Sequence, residues 1–340
     1  MVTASVQPLA TDEPVRRDDW RAIVARYQGP NVSRALLQLG TSVGFLAAAF
    51  VVMGYSLALP YWVTLLLAVP AAGFMVRSFI VMHDCAHGSY LPWRRANEII
   101  GFITGVLTLT PFDQWRRDHA LHHASSGDLD RRGNGDINTL TVREYRARTS
   151  AGRARYRAVR HPVVLLLLGP IHLAVNQRFR PRSTATGTRQ IKSVWWTNVG
   201  IAAGLVGCSL LFGARAVVLI YLPVYMIAGA SGIWLFYVQH QFEETYWESH
   251  GEWDYATAAI RGSSYLKLPA LLQWMTGSIG LHHVHHLGPR IPNYRLQQCH
   301  DENPLFHGVT VVTWAEGMAA LRLTLWDEDR QRLVGFRDAA

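Results

Sequence analysis

The chain has 340 residues, enough to bury a sizeable core, and 33 Lys and Arg against 24 Asp and Glu give a formal net charge of +9. No zinc finger, RNP-type aromatic motif or basic repeat accompanies that charge, so no nucleic-acid partner is expected. Its three cysteines, Cys85, Cys208 and Cys299, make no C-x-x-C pair and no disulfide framework, which points to a reducing compartment for the soluble part.

Residues 1–30 are polar and rich in Asp, Arg and Thr, and they read as a cytosolic lead-in with no apolar h-region of a cleaved signal peptide. Ala35 to Gly54 and Leu57 to Val76 are each apolar over the roughly 20 residues a membrane span needs. The uncharged link Tyr55-Ser56 makes them a tight hairpin. Ile99 to Leu109 is apolar but short, bounded by Trp93-Arg94-Arg95 and Pro111-Phe112, and reads as interfacial or re-entrant. Ala124 to Arg160 is polar, marked by turns at Gly127, Gly133 and Gly135. Its second half carries Arg143, Arg146, Arg148, Arg153, Arg155, Arg157 and Arg160, a solvated face that also fits the positive-inside rule. Val163 to Val175 is apolar, short and broken by Gly169-Pro170, so it reads as half-inserted or interfacial. His161 and His172 there read as ordinary structural residues. Val194 to Phe212 and Ala216 to Val238 form a second hairpin that turns at Gly213-Ala214-Arg215. The two hairpin turns carry almost no positive charge, which places both termini in the cytosol. The expected organisation is an all-α membrane protein. Its membrane domain covers 31–310, with spans at about 35–54, 57–76, 194–212 and 216–238, interfacial helices and a cytosolic His-rich cap, followed by an amphipathic tail over 311–340.

Three histidine tracts interrupt this apolar pattern. They are His83-Asp-Cys-Ala-His87, His119-Ala-Leu-His122-His123 and Leu281-His-His-Val-His-His-Leu287. Residues i, i+3 and i+4 share one helix face, so His83/His87, His119/His122/His123 and His282/His285/His286 can each present converging nitrogens. Neutral imidazole suits iron, zinc and copper. Eight such donors exceed the roughly four that one tetrahedral zinc takes, and two ions in one all-His pocket follow. The third tract is ambiguous by one residue. The helical spacing favours His282 and leaves His283 beside the site or at the surface. His240, emerging from the fourth span in Gln239-His-Gln-Phe-Glu243, is a ninth candidate. Asp84, Asp118 and Glu243 either orient ligand imidazoles or are solvated interfacial charges.

The tracts, their order and the intervening hairpin resemble the integral-membrane fatty acid desaturases, whose boxes read HxxxH or HxxxxH, HxxHH and HxxHH. Gly133-Asn-Gly-Asp136, Thr139-Leu-Thr-Val-Arg-Glu-Tyr145, Gln239 to Glu243 and Leu281 to Tyr294 look most like the bacterial acyl-lipid delta-12 (omega-6) branch. The resemblance implies a di-iron centre held by His83, His87, His119, His122, His123, His282, His285 and His286, with His240 similar in placement to the family's extra ligand. It implies dioxygen as co-substrate and a membrane-lipid acyl substrate, with oleoyl converted to linoleoyl. With no fused His-Pro-Gly-Gly haem stretch, a separate electron donor such as ferredoxin is expected. A bacterial inner-membrane protein with its boxes in the cytosol follows. An unactivated methylene has no acidic proton and no leaving group, so metal–oxygen or radical chemistry is required. A related hydroxylase or ketolase, a desaturase of other regiospecificity, and a membrane metal-binding or transport protein are the alternatives. A transporter would place its histidines inside the spans along a pathway, not at their cytosolic ends.

Overall fold

Two antiparallel helical hairpins carry the chain through the membrane in the computed structural model, which describes residues 17–133, 137–179 and 187–338. A short lead helix α1 (Arg17–Ala25) precedes the first hairpin, α2 (Val32–Ser56) and α3 (Tyr61–His87). Asn31 caps α2 by accepting the Arg34 amide at 2.9 Å. The hairpin turn falls at 57–60, not at Tyr55-Ser56, because Pro60 has no amide to donate and bars helical geometry at the residue before it.

The expected second span stops at Val76, beside Arg77, whereas α3 runs on for three more turns through His83 and His87. Arg77 does not end the helix because its charge is accommodated in place: the guanidinium lies 4.1 Å from the Trp274 ring centre and donates to the Trp274 carbonyl. At 1.5 Å per residue, the 27 residues of α3 reach about 40 Å against a hydrocarbon core of about 30 Å. The histidines therefore ride on the projecting end of a rigid span. Gly88 then closes the helix with φ +67°, a left-handed conformation that costs glycine little.

α4 (Arg94–Leu107) dips back towards the middle of the membrane, as its length requires. Val106 packs on Gly200, and the Tyr221 hydroxyl donates to the Leu107 carbonyl at 2.9 Å. α5 (Phe112–Ser125) returns with the second histidine tract. The following segment is not merely polar loop. Beyond Asn134–Asp136, which lie outside the described residues, come strand β1 (Leu140–Thr141), α6 (Val142–Ala147) and α7 (Ser150–Arg160). A reciprocal capping box between Thr141 and Glu144 starts α6.

α8 (Pro162–Asn176) turns 77° from α7 and runs back along the fourth span. The second hairpin is α9 (Thr188–Phe212) and α10 (Ala214–His240), turning at Gly213 with φ +85°. Against α10, Arg160 meets Tyr237, Gly169 abuts Ile233, and Pro170 abuts Gly229 and accepts from the Tyr225 hydroxyl. That descending order inserts α8 about halfway beside α10, with Val163, Leu167, Leu168 and Ile171 exposed to lipid. His161 caps α8, and His172 hydrogen-bonds Asn176, both structural contacts. The fourth helix, too, continues past its expected end at Val238 and carries His240 in its last turn.

The remainder forms a cap on the histidine-bearing ends. It comprises α11 (Tyr255–Arg261), β2 (Tyr265–Lys267), α12 (Ala270–Met275), α13 (His282–Leu287) and α14 (Asn293–Asp301), then β3 (Val311–Thr313), α15 (Trp314–Ala320), β4 (Leu325–Asp327) and β5 (Arg332–Val334). β2 pairs with β3 in parallel, and β1, β4 and β5 make a three-stranded sheet in the order β1-β4-β5. These short strands are the departure from a purely helical expectation. The main core lies where α2, α3 and α10 meet, and Ala68, Ala71 and Ala72 let the helices approach closely. On α4, a Cβ at Gly101 would sit 2.2 Å from the Phe112 ring, which sets the angle between α4 and α5. Gly101→Leu should lower the unfolding temperature in detergent, with a loss of about 1–3 kcal/mol; an unchanged melting curve would show that this contact does not fix the helix angle.

Candidate metal centre

Four elements deliver the histidines to one place. The last turn of α3 supplies His83 and His87, one face of α5 supplies His119, His122 and His123, α10 ends on His240, and α13 supplies His282, His285 and His286. Two groups of four emerge, each with its ligand nitrogens within 4.8 Å of one another. The first is His83, His87, His119 and His285; the second is His122, His240, His282 and His286. His123 adjoins the first, its Nε2 lying 3.1 Å from His119 Nε2 and 3.0 Å from His285 Nε2, while its ring stacks on His286 at 4.2 Å. It stands between the groups.

The orientation of each ring has a cause. His83 Nδ1 donates to Asp84 Oδ1 at 3.0 Å, which leaves Nε2 facing the Nε2 atoms of His119 and His285, each 3.1 Å away. Asp84 is held in turn: its Oδ2 accepts the backbone and side-chain N–H groups of Asn293, both at 2.7 Å. Gln38, inside the first span, exchanges amide hydrogen bonds with Asn293 at 2.9 and 3.2 Å. His240 Nδ1 donates to the Gly262 carbonyl at 3.2 Å, and its Nε2 meets those of His122 and His282 at 3.1 and 2.9 Å. Trp115, one turn before His119, stacks on that ring at 4.3 Å, and Phe236 packs on His122 and His240.

The ambiguous pair in the third tract separates cleanly in space. His282 faces His240 and His286, whereas His283 turns away to His300 Nδ1 at 3.1 Å and packs on Phe306. Of the acidic candidates only Asp84 meets a clustered imidazole in a resolved contact. Asp118 accepts from Gln114, one turn earlier, at 2.8 Å, and Glu243 pairs with Arg332 at the surface. Asn293, Gln38, Trp115, Phe236 and Gly262 support the centre without standing out as site residues in the sequence. Asn293 does fall within the Pro-rich turn after the third tract, and Gln38 is a lone amide in an apolar span, a general mark of function in membrane helices.

The donor chemistry fits metal. All nine nitrogens belong to imidazole, and eight of the nine residues are buried. His87 Nε2 is itself buried with no hydrogen-bond partner among the described residues, and it faces the first group. Burial holds His119, His123, His282, His285 and His286 well below the ordinary histidine value, and neighbouring imidazoles add to the effect. Neutral imidazole is the form that binds a cation.

An integral membrane protein with two adjoining all-imidazole groups at the projecting ends of its spans is thus defined by fold and site together. The fatty acid desaturase family model matches residues 56–314. A fatty acid desaturase of Bacillus subtilis (strain 168) is 43% identical over 316 residues, which covers 92% of this chain and 89% of that one. More distant similarity extends to the sn-1 oleoyl-lipid 12-desaturase of Picosynechococcus sp., 25% identical over 79% of this chain and 75% of that one. The sn-1 acyl-lipid omega-3 desaturase (ferredoxin) of Synechocystis sp. is 25% identical over 82% and 77%. The chain belongs to the fatty acid desaturase family and is an oxidoreductase.

Two expectations follow from the geometry. Asp84→Asn removes the charge that orients His83, so metal affinity should fall about 10–100-fold. His283→Gln should keep the wild-type metal content, because His283 points to His300. Metal per chain by mass spectrometry decides both, and equal loss in the two variants would refute the assignment of the third tract. The second expectation concerns acid. Since the folded histidine values lie below the unfolded one of about 6.5, the unfolded chain binds more protons as pH falls. This contribution to stability is intact above about pH 6.5 and is lost as pH drops from there towards the folded values. The unfolding temperature of metal-stripped protein in detergent should fall steadily from pH 7 to pH 5; a flat profile would contradict the buried, neutral state.

Proposed function

We propose that the chain is a di-iron acyl-lipid desaturase that places a cis double bond in the acyl chain of a membrane lipid, converting oleoyl to linoleoyl by attack at the twelfth carbon. The observation that carries this reading is the pair of buried imidazole groups at the ends of α3 and α10, where a lipid chain lying beside the spans comes within reach. The name of the oleoyl-lipid 12-desaturase relative supports the choice of bond. The overall change is –CH2–CH2– plus O2, two electrons and two protons to –CH=CH– plus two waters.

The first iron would be held by His83, His87, His119 and His285, with His123 adjoining, and the second by His122, His240, His282 and His286. Bound iron supplies the oxidising power that no side chain has against an unactivated methylene. The protein's own task is geometric. A small recess beside His122 and His240 is lined by Phe236, Ile137 and Trp247 on its apolar side and by Ser126 and Gln241 on its polar side. The apolar wall suits methylene groups. Asp84, Asn293 and Gly262 hold the imidazoles still, and the burial of the ring set keeps water from the centre. Electrons come from a separate one-electron carrier such as ferredoxin, for which the Synechocystis relative is named. The membrane is the bacterial inner membrane with the histidines on its cytosolic face. The charge pattern supports this, since the turn at 57–60 has no Lys or Arg and the turn at 213–215 has Arg215 alone, while the arginines of 143–157 flank the histidine side.

Expression in a bacterium rich in oleate and free of linoleate tests the proposal, with His285→Ala as control. A new 18-carbon diene, unsaturated at the twelfth carbon and missing from the variant, is the expected result. A monoene drawn from a saturated chain would refute the oleoyl assignment and keep the chemistry, and a hydroxylated lipid would replace desaturation itself.

A further inference from the structure

The sequence stretch from Arg143 to Arg160 is more basic than solvation of a short cap requires, and the structure divides it by face. Arg160 is buried, and its Nη2 donates to the Tyr237 hydroxyl at 3.0 Å and to Gln241 Oε1 at 3.1 Å. Gln241 directly follows His240, so the inner face of α7 is one side chain from the second imidazole group. The outer side presents Arg155 and Arg157, with Arg143, Arg146 and Arg148 exposed on α6 and the link. Arg143 is paired with Glu328 and Asp329. Arg148, Arg153, Arg155 and Arg157 form no ion pair among the described residues. Arg153, Arg155 and Arg157 thus lie on a helix about 10–12 Å thick, with Arg148 on the link before it, and the other face of that helix contacts the residue after a clustered histidine.

We propose that the outer face of α6 and α7 is the docking surface for the electron donor, a small acidic protein that carries one electron at a time. This inference rests on the desaturase reading, which requires two electrons per double bond from outside the chain. Two successive reduced carriers would each deliver one electron to the centre and leave oxidised. Charge complementarity selects the partner: an acidic patch around an exposed redox group meets Arg148 and Arg155, and the field steers the encounter. The 77° elbow at His161 favours this over burial among lipid headgroups. It sends the apolar α8 down along α10 and leaves α7 across the cap, continuous with α6 and the β1-β4-β5 sheet.

Arg148→Glu/Arg155→Glu is the test variant, because neither side chain hydrogen-bonds the protein core. The probe is a purified plant-type [2Fe–2S] ferredoxin, and the enzyme is the full chain in nanodiscs. The charge-reversed pair should weaken ferredoxin binding and raise its KM at least tenfold, with kcat at saturating ferredoxin within twofold. Arg148→Gln/Arg155→Gln should give about a threefold effect, and raising salt from 50 to 300 mM should narrow the gap to wild type. Direct binding to nanodiscs is read without turnover, so loss of binding in the charge-reversed pair supports the surface even if a different product is found. Unchanged ferredoxin affinity in that pair overturns the proposal. So does an effect that appears only with anionic lipid in the disc and leaves ferredoxin affinity untouched, which would reassign the arginines to lipid headgroups.

Discussion

Everything in this protein depends on holding nine imidazoles close together and out of water. Like-charged rings at 3 Å separation would repel strongly, and burial makes the charged form costlier still. For the five rings His119, His123, His282, His285 and His286, burial favours the neutral form, which is also the form that binds a cation. Burial, helix geometry and ligand chemistry all demand the same arrangement.

Rigidity comes from the spans. A helix that ends at the hydrocarbon boundary would leave its histidines on a loop, free to move relative to one another. α3 and α10 instead run on without a break, so His83, His87 and His240 have the stiffness of the membrane helices beneath them. α5 returns from a re-entrant turn to stand between them, and the short α13 closes the top. The chain Gln38, Asn293, Asp84, His83 links the first span, the turn after the third tract and the first imidazole group in one hydrogen-bonded line. Such networks hold metal-binding imidazoles in a single tautomer and orientation. Affinity and geometry at the centre are thus tied to residues 38 and 293, far apart in sequence.

The two imidazole groups are not equivalent. The first has His123 beside it and is ringed by Trp115 and Asp84, whereas the second borders the recess under Phe236, Ile137 and Trp247. The wall of that recess is apolar on one side and polar, at Ser126 and Gln241, on the other. The polar side leads outward through Gln241 to Arg160 and the basic helix above it. Substrate, co-substrate and reductant would then approach the same group from different directions.

Local patterns were legible from the amino-acid sequence because they follow short-range rules. Apolar length marks a span, i, i+3 and i+4 spacing marks a shared helix face, and proline and glycine mark the turns. Those rules marked four apolar spans, three histidine sets and a short apolar segment, Val163 to Val175, set apart from the spans. They misplaced the helix ends, because Arg77 and the polar residues after it look like an exit from the membrane until Trp274 is folded against them. Helical spacing favoured His282 over His283, but what each ring meets was decided only once α13 is oriented against His300 on one side and His240 on the other. The membership of each imidazole group, the hold of Asn293 on Asp84 and the division of α7 into a buried and an exposed face were likewise decided by tertiary structure alone. Each depends on contacts between residues dozens to hundreds of positions apart, and no periodicity in the chain records them.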